Sequence, residues 1–196
     1  MDSENSTSDT GKKIPHQKQP FIDLIESIDP QANAINGEWI LKEGGKEIAI
    51  ANAGRANRIN VPVSLPKNYE LEVEFTRVGI QPGLILPIGG EPCVLWLGTE
   101  VLLELYSPRQ YHGRGAAENQ DGVRHKVRAE VRTTDEGGEI KVWLNNQFAF
   151  RWSGQKEEIN MYKAYKLSEG FQLGLLSQDN TSIRFHKLQY RSLGPE

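Results

Sequence analysis

The sequence predicts an all-β protein, a sandwich of two antiparallel sheets with one short helix near its N-terminus. Three observations carry that expectation. Within residues 123–152, Val127, Ala129 and Val131 alternate strictly with Lys126, Arg128, Glu130 and Arg132, the period of two that a strand with one buried face requires. The same alternation sets Tyr69, Leu71, Val73 and Phe75 against Glu70, Glu72, Glu74 and Thr76. Turn-forming pairs separate the apolar stretches, as at Gly44-Gly45, Gly89-Gly90, Gly137-Gly138 and Asn145-Asn146, where glycine and asparagine tolerate positive φ.

Residues 1–19 are polar and almost free of large apolar side chains. They cannot bury enough surface to offset the entropy of ordering and are expected to be a disordered tail ahead of a β-sandwich domain over 20–196. Phe21, Leu24, Ile25 and Ile28 recur at helical spacing, with Pro20 near the first turn and Pro30 beyond the end, which predicts the helix. Residues 37–50 read as a hairpin and 57–63 as a short strand. Residues 69–77 form the most regular strand outside the 123–152 stretch. Gln81-Pro82-Gly83 reads as a turn, followed by a hairpin of LILPI and PCVLWL, apolar on both faces and therefore expected to be covered on both sides. Residues 101–106 are a further strand and 107–122 a long loop, the kind of segment that carries binding on a rigid sheet. Residues 156–166 are irregular, and 171–176 and 182–190 close the domain as two strands. The second hairpin of the 123–152 stretch has two registers. A two-residue turn at Asn145-Asn146 sets Trp143 beside Phe148; a three-residue loop sets Leu144, Val142 and Ile140 beside Phe148, Phe150 and Trp152. A slip of one residue exchanges the faces.

With 196 residues and a formal charge of −3, the chain suits one β domain of roughly 200 residues and offers no clustered basic face for nucleic acid. Cys93 is the only cysteine; no internal disulfide is possible, and its apolar setting makes it a small buried hydrophobe. There is no apolar run of about 18 residues to span a membrane. No signal peptide is visible, so a complete chain is expected to be cytoplasmic.

Several of these segments resemble the concanavalin A-like lectin/glucanase superfamily, a jelly-roll sandwich. A His-led strand, a Gly-rich turn and a Trp-Gly closure (His125, Gly138, Val142, Asn145, Trp152, Gly154) look like its laminin-G-like and family 16 glycoside hydrolase-like modules. DLIESIDP, GEW, YELEVEFTR, GLILPIGG and FHKL, at 23–30, 37–39, 69–77, 83–90 and 185–188, are similar to segments of modules common in planctomycete proteins, over residues 21–192. These motifs are mostly structural. The resemblance implies a binding or interaction module with a carbohydrate or protein ligand, carbohydrate first. Alternatives are a sugar hydrolase and a structural accessory domain.

The hydrolase alternative would use Glu70, Glu72 and Glu74. Retaining glycosidases hold two carboxylates about 5–5.5 Å apart, one as nucleophile and one as acid, and those of this superfamily carry them at alternate positions of one strand. This chain has Glu72 where that pattern has Asp, and no Trp flanks the segment. The plainer reading is a solvated, charged strand face that discourages edge pairing. For binding, sugar recognition uses a flat aromatic face and planar polar groups. Arg109, Tyr111, His112, Arg114 and Asn119 fall in the long loop, where they also read as ordinary solvated side chains, and Trp96 ends a strand close by in sequence, where it reads equally as a core residue. No cofactor is expected and no metal ligands are spaced for a site, the four histidines being scattered. Calcium is the one ion the resemblance implies, through an acidic loop in legume-type lectins. The nearest segments are Asn119-Gln120-Asp121 and Gln178-Asp179-Asn180, which also read as turns.

Overall fold

The computed structural model describes residues 19–194 except 53, 80, 107, 108, 114–118, 179 and 180. Residues 1–18, nearly all of the expected tail, lie outside this set. In chain order the elements are β1 (Ile22–Asp23), α1 (Pro30–Asn33), β2 (Ala34–Asn36), β3 (Glu38–Lys42), β4 (Glu47–Asn52), β5 (Asn57–Val61), β6 (Tyr69–Val78), β7 (Pro82–Ile88), β8 (Glu91–Leu97), β9 (Val101–Tyr106), β10 (Arg109–His112), β11 (Arg124–Thr133), β12 (Gly137–Leu144), β13 (Gln147–Gln155), β14 (Leu173–Ser177) and β15 (Ser182–Ser192). The back sheet runs β13-β12-β11-β6-β15-β4-β3, with β1 paired to β15; the front sheet runs β10-β9-β8-β7-β14-β5-β2. Among the described residues no helix is long and apolar enough to cross a membrane.

The core lies between the sheets. From the back come Leu71, Val73, Phe75, Val127, Val131 and Phe185; from the front come Leu84, Leu86, Ile88, Leu95, Leu103 and Leu175. All are the inward members of alternating strands, and removing them from water is the main favourable contribution to the fold. Cys93 belongs to this core; its Sγ contacts the Leu86 carbonyl oxygen at 3.3 Å, and burial pushes the thiol's pKa up.

Four details differ from the expectations. Residues 21–28 do not form an α-helix. Ile22 and Asp23 pair with Tyr190 and Gln189 of β15, so the backbone is extended there, and only a 3₁₀ turn follows at Ile25–Ser27. Leu24, Ile25 and Ile28 still reach the core. The short helix is α1, one step later: Pro30 opens it at the first position, and Asp29 caps it by accepting from the Gln31 and Ala32 amides at 2.9 and 3.3 Å. Pro82 and Gly83 belong to β7 rather than to a turn. Gly83 lies beneath the Trp96 ring, and a Cβ there would meet Trp96 Cε3 at 3.0 Å. The expected 107–122 loop contains β10, paired to β9 from Arg109↔Tyr106 to His112↔Leu103.

The hairpin from β12 to β13 combines both registers. Asn145 and Asn146 adopt positive φ of 50° and 67°, the two-residue turn that matches strand twist, and Trp143 stands opposite Phe148. Ala149 is then an unpaired extra residue, and the register shifts so that Val142 faces Phe150 and Ile140 faces Trp152. The bulge places Phe150 and Trp152 in the core and leaves Phe148 outside. Asn145 is held by its side chain, which accepts from the Lys126 amide at 3.0 Å and meets His125 Nδ1 at 3.0 Å. Asn146→Gly, which relieves the left-handed position without disturbing those contacts, is expected to raise stability by about 0.5 kcal/mol. Urea unfolding of the variant checks this; a lower midpoint would refute it.

Candidate functional site

The outer faces of the two sheets differ in chemistry. On the front sheet, β8 and β9 send Cys93, Leu95, Leu97, Val101, Leu103 and Leu105 inward, and Val94, Trp96, Leu102 and Glu104 outward. The outward group is covered by residues 161–171, which fold back over the sheet. Tyr165 and Leu167 join Ile85, Val94, Trp96 and Leu176 in a second apolar cluster, with Met161 and Phe171 packed against it. This covering segment is why the β7–β8 hairpin is apolar on both faces. The Trp96 indole N–H donates to Glu104 Oε2, and its ring meets Tyr165 edge-on at 5.6 Å. Tyr165 in turn accepts from Gln178 Nε2 and meets Tyr162 edge-on at 5.5 Å.

The six expected ligand-binding residues fall in different places. Trp96 is only 3% exposed and supports the face from beneath. Tyr111 stands opposite Glu104 on the outer side and is 46% exposed. His112, its neighbour along the strand, points the other way by alternation. Its ring lies 6.3 Å from Trp152 at the open edge of the sandwich. There Gly113 lies so close to Phe150 that a Cβ would meet the ring at 2.3 Å. Arg109 opens β10 opposite Tyr106; its side chain, and all of Arg114, lie outside the described residues. Asn119 is buried at one end of the sandwich, its side chain donating to the Leu97 carbonyl at 3.1 Å. Beside it a cleft of about 600 Å³ lies between Gly79, Thr99-Glu100 and Gln120-Asp121. Tyr111, Trp96 and Glu104 thus come together. Tyr162, Tyr165 and Glu104 were missed by the sequence reading, although a glutamate inside the apolar run VLLELY is a usable signal.

Glu70, Glu72 and Glu74 occupy the outer face of the back sheet. Strand β6 is central, between β11 and β15, so the expectation of a solvated face guarding a sheet edge is overturned. Glu70 and Glu72 are buried, and each carboxylate meets cations from both neighbours. Glu70 takes Arg191, whose Nε lies at 2.9 Å, and faces Arg128 at 3.8 Å. Glu72 pairs with Lys126, accepts from Gln189 at 2.9 Å and has Lys187 at 3.7 Å. Glu74 takes Arg124 at 2.6 Å and Lys187 at 3.3 Å. Partial burial acts to raise the Glu74 pKa, but Arg124 and Lys187 outweigh it and hold the carboxyl below its ordinary 4.5. A general acid needs the opposite shift. Glu139, paired with Lys141 and Arg151, is lowered in the same way against burial.

No protein-family model and no curated protein matches this chain. Among solved structures it is similar to the carbohydrate-binding module CBM66 from Bacillus subtilis, at 12% identity and a TM-score of 0.56, over 81% of this chain and 94% of that one. It is also similar to the metal-free form of lectin I-B4 from Griffonia simplicifolia, at 8% identity and a TM-score of 0.58, over 89% and 99% of the two chains. A third is the VIP36 exoplasmic/lumenal domain in its Ca2+/Man3GlcNAc-bound form, at 10% identity and a TM-score of 0.54, over 82% and 86%. The fold is the concanavalin A-like, lectin-like sandwich.

Two outcomes follow from this geometry. Trp96→Phe keeps most of the apolar volume but takes the indole donor from buried Glu104. It is expected to cost about 1–3 kcal/mol in urea unfolding, and an unchanged midpoint would contradict the pairing. Because Glu74 and Glu139 titrate lower when folded, their ion pairs contribute fully above pH 4.5. That contribution is lost as pH falls through the lower folded values, where the unfolded chain has already bound its protons. Urea midpoints measured from pH 6 downwards should therefore drop below about pH 4.5, and less steeply in Glu74→Gln.

Proposed function

We propose that this protein is a non-catalytic binding module whose ligand is a carbohydrate, held on the outer face of the front sheet at Tyr111. The observation that carries the reading is an exposed aromatic ring on a paired strand at the edge of the front sheet. A tyrosine ring offers an apolar face to the C–H face of a sugar and a hydroxyl to its polar rim. Its neighbours are fixed, since Glu104, Trp96 and Tyr165 form one connected buried group beneath the surface. Tyr162, 41% exposed, ends that chain of contacts on the covering segment. A rigid support lowers the ordering cost of binding. Similar structures include a carbohydrate-binding module and a lectin, which agrees with this ligand class. Fold-level likeness adds analogy only.

The hydrolase alternative draws no support from Glu70, Glu72 and Glu74, whose oxygens are engaged by arginine, lysine and glutamine side chains.

A glycan-array screen of the wild type and Tyr111→Ala tests the proposal. Tyr111 is exposed enough that its loss should leave the melting temperature nearly unchanged, while affinity for the bound glycan drops about tenfold. A blank array with folded wild-type protein overturns the carbohydrate reading. Binding that survives in Tyr111→Ala moves the site elsewhere.

A further inference from the structure

Calcium is the ion the fold's lectins imply, and one similar structure is a Ca2+-bound form. Of the two candidate segments, Gln178-Asp179-Asn180 includes residues outside the described set. The other, Asn119-Gln120-Asp121, already surrounds a cation that belongs to the chain.

That cation is Arg77. The alternation of β6 sends Tyr69, Leu71, Val73 and Phe75 inward, and Arg77 continues the same parity, so a charged side chain enters the end of the sandwich. It is 2% exposed. Its Nη1 donates to the Asp121 carboxylate and to the Gly79 carbonyl, and its Nη2 donates to the Asn119 carbonyl. The second Asp121 oxygen accepts from the Gly79 amide at 3.2 Å. The Asn119 amide donates to the Thr99 carbonyl at 3.0 Å, and the Gly122 amide to the Arg77 carbonyl at 2.8 Å. The guanidinium therefore ties the end of β6 to the 119–122 loop, and the Asn119 amide ties that loop to the β8–β9 turn.

Backbone carbonyls and a carboxylate are the oxygens that a hard cation uses, but calcium needs about six to eight of them. Here one carboxylate and two carbonyls face a fixed positive charge. A divalent ion at the same oxygens would have to displace the guanidinium and leave it buried without its counter-ion, at high cost. Among the described residues, no group of three or more His, Cys, Asp or Glu side chains is placed to hold a metal. The residues do not fit calcium.

We propose that Arg77 is the built-in cation of this loop. It performs the ordering that a bound metal would perform, and the Asn119-Gln120-Asp121 segment neither requires nor takes calcium. The inference does not rest on the carbohydrate reading.

Thermal unfolding of the full chain tests it. Wild-type melting temperature should be the same in EDTA and in millimolar calcium, or show only a rise that Asp121→Asn retains. Arg77→Ala should melt about 10 °C lower, and low-millimolar methylguanidinium should restore part of that loss in the variant but not affect the wild type. Arg77→Lys, which keeps the charge without the planar fork, should fall between the two. It serves if Arg77→Ala does not fold. A calcium-induced rise in the wild type that Asp121→Asn abolishes overturns the proposal. So does an Arg77→Lys variant as stable as the wild type, or a folded Arg77→Ala that methylguanidinium does not stabilise.

Discussion

Everything in this sandwich depends on parity. Side chains alternate across a strand, and a single uncorrected slip would carry a run of apolar residues into solvent. Two long strands break the count and recover it. In β15, Ile183 and Phe185 face inward, His186 is the extra residue of a bulge against β6, and Leu188 resumes the inward row. The displaced imidazole is then engaged, with Nε2 at 2.8 Å from the Thr76 hydroxyl and Nδ1 at 2.6 Å from Glu47. In β13 the bulge at Ala149 does the same for Phe150 and Trp152. Both irregularities preserve the inner face.

The strands and most of their turns were legible in the sequence because they are written locally, in alternation and in glycine or asparagine pairs. The spacing of Phe21, Leu24, Ile25 and Ile28 was also local, yet the backbone around Ile22 pairs with β15, nearly the whole chain away, and tertiary pairing overrode the helical period. The site was less legible for the same reason. Trp96 looks like a possible platform until residues 161–171 cover it, and nothing periodic in that segment announces where it goes. The position of Tyr111 on a strand and not in a loop comes from its pairing with Glu104. Parity could have revealed Arg77, since a charged residue in the inward column of so regular a strand asks for a buried partner.

The glutamate row shows how context sets the role of a carboxylate. Read alone, it suits either chemistry or solvation. Placed between β11 and β15 it becomes the centre of a charge lattice, facing Arg124, Lys126 and Arg128 on one side and Lys187, Gln189 and Arg191 on the other. Its partners lie between 50 and 121 residues away in sequence, so no local pattern foretells it. The back sheet thus spends its outward charges on itself, and Arg128 also lies over the Trp143 ring at 3.7 Å. The front sheet presents aromatic rings instead.

The second apolar cluster shares no residue with the core between the sheets. Its cover, residues 161–171, joins β13 to β14 as a connection laid over finished architecture. Substitutions there are felt by Trp96 and Tyr165 before they are felt by Phe75 or Leu95. Such a partition lets the surface around Tyr111 and Tyr162 change while the core between the sheets stays intact, so the outer face and the scaffold are separable.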